Sequence, residues 1–265
     1  MGRTAKRIVV ISDLHCGHRV GLTPAGYIHE TDDPREQKWA ELRKAQWAWY
    51  IAKIRTLRPV DVLFVMGDCV DGKSEKADGR DVVFDKESDQ IDMAEACILE
   101  AKAANISMVF GTRYHVRDNE SSIARRLGDK CRLGSHEWVD VHGVVFDLKH
   151  QVGGSSIPHG RATALKRAEL WNALWSMAGR QPRGDVLLRG HVHYCEDTGK
   201  HYGEREVRAY TCPALQGVGT EFGAERCEGL VDFGLMHFDV TPGGSYASTK
   251  HIAVLPEQVA TATKY

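Results

Sequence analysis

Short apolar runs separated by longer polar or helix-patterned stretches set the rhythm of this chain. Residues 8–11 (Ile-Val-Val-Ile) are apolar without a break, as in a strand covered on both faces. Asp33-Pro34-Arg35-Glu36 then supplies a capping carboxylate, a proline at the first helical position and an acid three residues after the cap, so a helix begins there. Trp47, Tyr50, Ile51 and Ile54 recur at helical spacing, and Pro59 ends that helix. A strand over 60–66 follows, then a polar stretch over 73–90 with Val82-Val83-Phe84 at its centre, a helix over 89–104 and a strand over 106–110. Residues 137–149 alternate around His142-Gly143 as a hairpin does. Leu165, Ala168, Trp171, Leu174, Trp175 and Ala178 predict a helix over 161–178, closed by Pro182 and Gly184 and followed by a strand over 185–189. Segments 206–211, 229–240 and 245–253 read as antiparallel strands between glycine and proline turns, and the tail over 257–265 is expected to fray. Strands alternating with helices predict an α/β fold, and the length suits one domain over residues 1–265.

Five of the apolar runs end in side chains that bind metals. They lead into Asp13-Leu14-His15, Gly67-Asp68-Cys69-Val70-Asp71, Gly111-Thr112-Arg113-Tyr114-His115, the lone His150, and Gly190-His191-Val192-His193. Asp13 and His15, like His191 and His193, are two residues apart, and on an extended segment such residues point to the same side. Several strands that deliver Asp and His to one sheet edge make a ligand site of the kind open α/β folds carry.

In order and character these segments resemble the calcineurin-like metallophosphoesterases, whose pattern is D-x-H, G-D-x-x-D, G-N-H-[DE], a lone His and G-H-x-H. The third segment departs from it: Gly111-Thr112-x-x-His115 stands in place of Gly-Asn-His, which resembles the small phosphoesterases of phage and prophage genomes. The resemblance implies a four-layer α/β/β/α sandwich and a dinuclear site of divalent or trivalent manganese, iron, zinc or nickel ions. Asp13, His15 and His193 would hold one ion, Asp68 would bridge, and His150 and His191 would hold the other, with Thr112 where an amide ligand usually stands. A hydroxyl is a poorer ligand than an amide oxygen, so the second ion is expected to depend mainly on Asp68, His150 and His191. A hydroxide bridging the ions would attack a phosphoric ester, with a phosphodiester or nucleotide-like small molecule as the expected substrate. His115 would stabilise charge or protonate the leaving oxygen, and Asp71 would orient ligands. Asp118 is a candidate substitute for the acid that usually follows the motif histidine, and Arg113, Tyr114 and His18 are candidate substrate contacts. His159 is a more distant possibility, and the remaining histidines are read as ordinary. Nuclease or phosphomonoesterase activity on the same fold, or a binding module that keeps its metal site, are the competing readings.

Composition narrows this only a little. A net charge of −1 gives no whole-protein attraction to nucleic acid, so any such binding has to be local. The seven cysteines are odd in number and lack a C-x-x-C pair, which points to a reducing cytoplasm rather than a disulfide framework, with Cys16 and Cys69 as small buried fillers. No apolar run is long enough to cross a membrane, so a soluble protein with no membrane partner is expected, and the sequence leaves the oligomeric state open. Trp39, Trp47 and Tyr50 are expected in the core, while Trp49 falls between the stripe positions and is expected to face a loop or a partner.

Overall fold

The computed structural model describes residues 4–29, 31–73, 79, 81–199, 207–218, 229–256 and 262–263. Residues 74–78 and 80 of the polar stretch, His201, the first residue of the 206–211 strand, Cys227 and nearly all of the 257–265 tail lie outside the described residues. In chain order the elements are β1 (Lys6–Ile11), α1 (Pro34–Leu57), β2 (Val62–Val65), α2 (Glu87–Leu99), β3 (Asn105–Val109), α3 (Arg113–Val116), α4 (Asn119–Leu127), β4 (Cys131–Gly134), β5 (Glu137–Val141), β6 (Val144–Lys149), α5 (Thr163–Met177), β7 (Val186–Arg189), β8 (Arg208–Thr211), β9 (Phe233–Val240) and β10 (Tyr246–Ala253).

The strands form two sheets, ordered β10-β9-β1-β2-β3-β4 and β5-β6-β7-β8. Strand alternation builds the layers, because successive side chains face opposite sides. Val9 and Ile11 of β1, with Leu63, Val65, Ile106 and Met108, face the helices and pack with Leu42, Tyr50 and Ile54 of α1, Cys97 of α2 and Ile123 of α4. Ile8 and Val10, with Val62 and Phe64, face the other way and meet Phe146, Leu148, Val186 and Leu188 of the second sheet. On the outer side of that sheet Leu165 of α5 covers Leu187 and Ala209. The layers are therefore α/β/β/α.

β1, β2, β3 and β4 run parallel, as do β6, β7 and β8, so the loops after β1, β2, β3, β6 and β7 leave from strand C-terminal ends. β8 corrects the antiparallel expectation, since it pairs parallel with β7, while β9 and β10 are antiparallel as expected. The chain after His193 runs back beside the sheet, where Asp197 bridges Tyr210 antiparallel, and only then enters β8 in the direction of β7. Trp49 is also corrected: it packs on the ring of Phe233, with centroids 5.3 Å apart, because β9 closes over that side of α1. Helix α2 ends at Leu99 rather than Ala104, and the sequence pattern gave no notice of β4 or α4.

Candidate metal centre

Three of the loops that carry candidate ligands, those after β1, β2 and β7, hold them in a conformation their residue types disfavour. Asp13, His15, Asp68, His191 and His193 all have φ between 45° and 74°, a left-handed region that costs non-glycine residues roughly 1–3 kcal/mol each. The loops are also interlocked. Asp13 N–H donates to Gly67 O at 3.0 Å and His15 N–H to Asp68 O at 2.9 Å, so the first loop hangs on the second. A Cβ on Gly111 would lie 2.2 Å from Asp68 N, which leaves glycine as the residue that lets the third loop close on the second. Thr112 N–H then donates to Asp68 Oδ1 at 2.6 Å.

Two sets of side chains result, Asp13, His15 and His193 in one and Asp68, His150 and His191 in the other, each with ligand atoms within 4.8 Å of one another. His193 Nε2 lies 3.2 Å from Asp13 Oδ1. Asp68 borders both sets, with its Oδ2 3.1 Å from His150 Nε2 and 3.8 Å from His15 Nε2. Thr112 Oγ1 sits inside the second set, donating to Asp68 Oδ2 at 3.1 Å and lying 3.2 Å from His150 Nε2 and 3.1 Å from His191 Nδ1. Asp13 is tied further by Ser12 Oγ and by the His191 backbone N–H at 3.1 Å.

Hydrogen bonding fixes the ring tautomers. His150 Nδ1 donates to Met66 O at 2.6 Å, so in the neutral ring the Nε2 lone pair faces Asp68. His15 Nδ1 donates to Asp71 Oδ1 at 2.9 Å, and its buried Nε2 has no hydrogen-bond partner. A lone pair aimed at carboxylates is repelled unless a cation lies between them, and a histidine whose other nitrogen is held by a carboxylate or a carbonyl is the usual metal ligand. A proton on Nε2 meets the same need. Burial by itself depresses the His150 pKa, yet Asp68 and Asp13 lift it to about 9. Burial also raises the Asp68 pKa, and His150 and His15 outweigh it and bring it down to about 2. The donor set and the unpartnered nitrogen fit two cations.

Asp71, His15 and His115 form a third close group. His115 Nδ1 donates to the Asp71 carbonyl at 3.0 Å and lies 3.5 Å from Asp71 Oδ1, which leaves Nε2 for another partner. Burial, then the neighbouring His15, lowers the His115 pKa. The ring of Tyr114 lies 4.0 Å from that of His115, while Arg113 is exposed. His18 is 6.5 Å from His15 between ring centroids, accepts Val20 N–H at Nδ1, and is pushed down to about 4 by burial.

Asp118 is a correction. It is exposed at the start of α4, and the acid beside His115 is Asp71, because the chain turns away at Arg117 (φ 42°). His159 is exposed in the Pro158–Gly160 turn and joins none of these groups. Cys16 and Cys69 are buried in the helix-side core, as fillers. Two residues escaped the sequence reading. Glu120, fully buried, accepts Cys69 N–H at 3.2 Å and Gly111 N–H at 2.7 Å, so it joins the second and third loops, and burial raises its pKa to about 7. Gln90 clamps Gly72 from both sides, at 2.8 and 2.9 Å, and also holds Phe84 O, which docks the far end of the polar stretch beside the site. Each is a lone polar residue in a polar run, and no sequence signal singles it out.

The sequence matches no family model, and no curated protein matches it. Among solved structures the chain is similar to Vps29 of Entamoeba histolytica complexed with zinc, with 15% identity, 93% of this chain and 98% of that chain covered, and a TM-score of 0.44. It is also similar to an archaeal phosphodiesterase, with 14% identity, 92% and 99% covered, and a TM-score of 0.46.

Proposed function

We propose that the protein is a dinuclear metal-dependent hydrolase of phosphoric esters that favours diesters. The observation that carries this reading is the position of Asp68 between two ligand sets, in each of which one histidine already spends its other nitrogen, His150 on Met66 O and His15 on Asp71. Asp13, His15 and His193 would hold one ion, and His150, His191 and the Thr112 hydroxyl the other, with Asp68 serving both. Ions bound there would polarise the phosphoryl oxygens and acidify an attacking water. The chain's own residues supply the rest. Asp71 holds His15 in the ligating tautomer and fixes the proton of His115 on Nδ1. His115 Nε2 is then the atom that exchanges a proton with the leaving oxygen or steadies its charge, and the Tyr114 ring keeps the imidazole in place. Arg113 is the one cationic side chain within the motifs, which suits the single charge of a diester better than the double charge of a monoester.

The test uses the metal-reconstituted protein and a pair of aryl phosphates, one a diester and one a monoester. Chelation and Asp68→Asn should each abolish hydrolysis, and kcat/KM should favour the diester. Full turnover by Asp68→Asn would remove the dinuclear reading, and faster cleavage of the monoester would remove the diester preference.

A further inference from the structure

Beside the metal centre the surface opens into two adjoining hollows. The first, of about 1030 Å³, starts at Gly111 and Thr112 and passes Arg113, Tyr114 and Arg117. The second, of about 690 Å³, lies under α5 and is walled by Lys149, Arg167, Trp171 and Trp175. Gln151 lines both, and Ser135 of the first is followed directly by His136 of the second, so they form one trough leading away from Thr112. Either part alone matches a pocket for a whole small ligand, roughly 300–1,000 Å³, so the trough is too long for an isolated phosphate.

Its chemistry changes along its length. Lining it are the cations Arg113, Arg117, Lys149, Arg167 and Arg189 and the carboxylates Asp118 and Asp147. Arg189 is taken up by Asp147 at 2.7 Å, and Arg117 lies 3.9 Å from Glu87. Arg113, Lys149 and Arg167 have no carboxylate within 4.0 Å among the described residues, so three cations are available to a polyanion. Trp171 and Trp175 are 54% and 45% exposed, although tryptophan is usually largely buried. Four residues apart on α5, they share one face and lie beside Arg167 and the amide of Gln181.

We propose that this trough binds single-stranded nucleic acid, with bases stacked on Trp171 and Trp175 and phosphates on Lys149 and Arg167, so that the strand reaches the metal centre past Gln151 and Thr112. The inference deepens the diester-hydrolase reading and rests on it for the identity of the scissile bond. Indole faces stack on any unpaired base, and cations set among them track the backbone, which is the recognition chemistry of single strands. A duplex buries its base faces and offers the tryptophans nothing to stack on. Leu170, Leu174 and Met177, exposed next to the tryptophans, would suit a protein partner, but the cations and the continuity with Thr112 favour the strand.

Fluorescence anisotropy of labelled twelve-residue oligothymidine and oligouridine, measured on the whole protein in chelator, reads binding without hydrolysis. Both strands, or one of them, should bind more tightly than a blunt duplex of the same length. Trp171→Ala and Trp175→Ala should each weaken binding by about ten-fold, with Trp175→Phe recovering part of the loss. Lys149→Gln and Arg167→Gln should each lower the slope of log affinity against log salt by about 0.7. Equal binding of the duplex, unchanged affinity in both alanine variants, or tryptophan variants that alter only self-association in sedimentation would overturn the proposal. Strand binding by a metal-loaded protein that cleaves no diester would leave the trough standing and sink the hydrolase reading, whereas cleavage of aryl diesters without strand binding would do the reverse.

Discussion

His15 and Asp71 show how one pair of atoms divides the labour at the site. The 2.9 Å bond between them directs the His15 Nε2 lone pair at the ligand cluster, and the same aspartate accepts from His115 through its carbonyl. Asp71→Asn should therefore weaken metal affinity by about 10–100-fold, the usual cost of losing the partner that orients a ligand. Calorimetric titration with manganese or zinc measures it, and unchanged affinity would show that Asp71 has no part in holding the site. His115→Ala should behave differently, with kcat falling by about 10²–10⁴-fold while two metal equivalents remain. Elemental analysis of the purified variant distinguishes the roles, because loss of an equivalent would make His115 a ligand.

At the level of elements, the ligands depend on loops that interlock more tightly than their lengths suggest. Gly111 passes so close to Asp68 that a methyl group would meet backbone, which cannot swing aside as a long side chain would. Gly111→Ala should cost about 1–3 kcal/mol of stability and disturb the second ion more than the first. A thermal melt paired with metal titration reads both effects, and a variant as stable as the parent would mean that the loops have slack. The edge of the first sheet supplies a pH prediction. His251 on β10 meets His237 on β9 at 2.8 Å, and burial, then Lys53 and His237, push its pKa down to about 4. An unfolded histidine titrates near 6.5, so between those values the unfolded chain binds the extra proton. The stability this residue contributes is complete above about pH 6.5 and disappears as the pH falls through about 4. Melts at pH 7 and pH 4.5 should show a smaller acid loss in His251→Gln than in the parent, and equal losses would exclude the pair as a source of acid sensitivity.

Across the whole molecule, two sheets packed face to face bring the C-terminal ends of β1, β2 and β3 to the same side as those of β6 and β7. Ions bound there would tie the first sheet to the second, since Asp13 and Asp68 come from one and His150, His191 and His193 from the other. Metal should therefore stabilise the entire fold. At a free metal concentration of 100 times Kd the gain is about 2.7 kcal/mol per site, and chelator should lower the melting temperature accordingly. A melting temperature indifferent to chelator would show that the loops hold their strained conformations without ions. None of the helices among the described residues is long and apolar enough to cross a membrane.

The sequence by itself determined the strands that lead into the site and which Asp and His side chains are candidates there, because continuous apolar runs such as 8–11 and 62–65 are readable locally and each run ends in its Asp or His. It also set Thr112 and His115 three residues apart in the third segment, a spacing visible in the linear order. Tertiary structure alone decided which acid serves His115: Asp118 is nearer in sequence, but Asp71 comes from another loop and wins through the turn at Arg117. It decided the parallel course of β8, which depends on the path of the returning chain, and the roles of Glu120 and Gln90, whose partners lie in other loops. It also left Trp171 and Trp175 in the open, although their helical spacing is the same as that of a buried stripe. Spacing reports which residues share a face, and only the packing of the other layers reveals whether anything covers it.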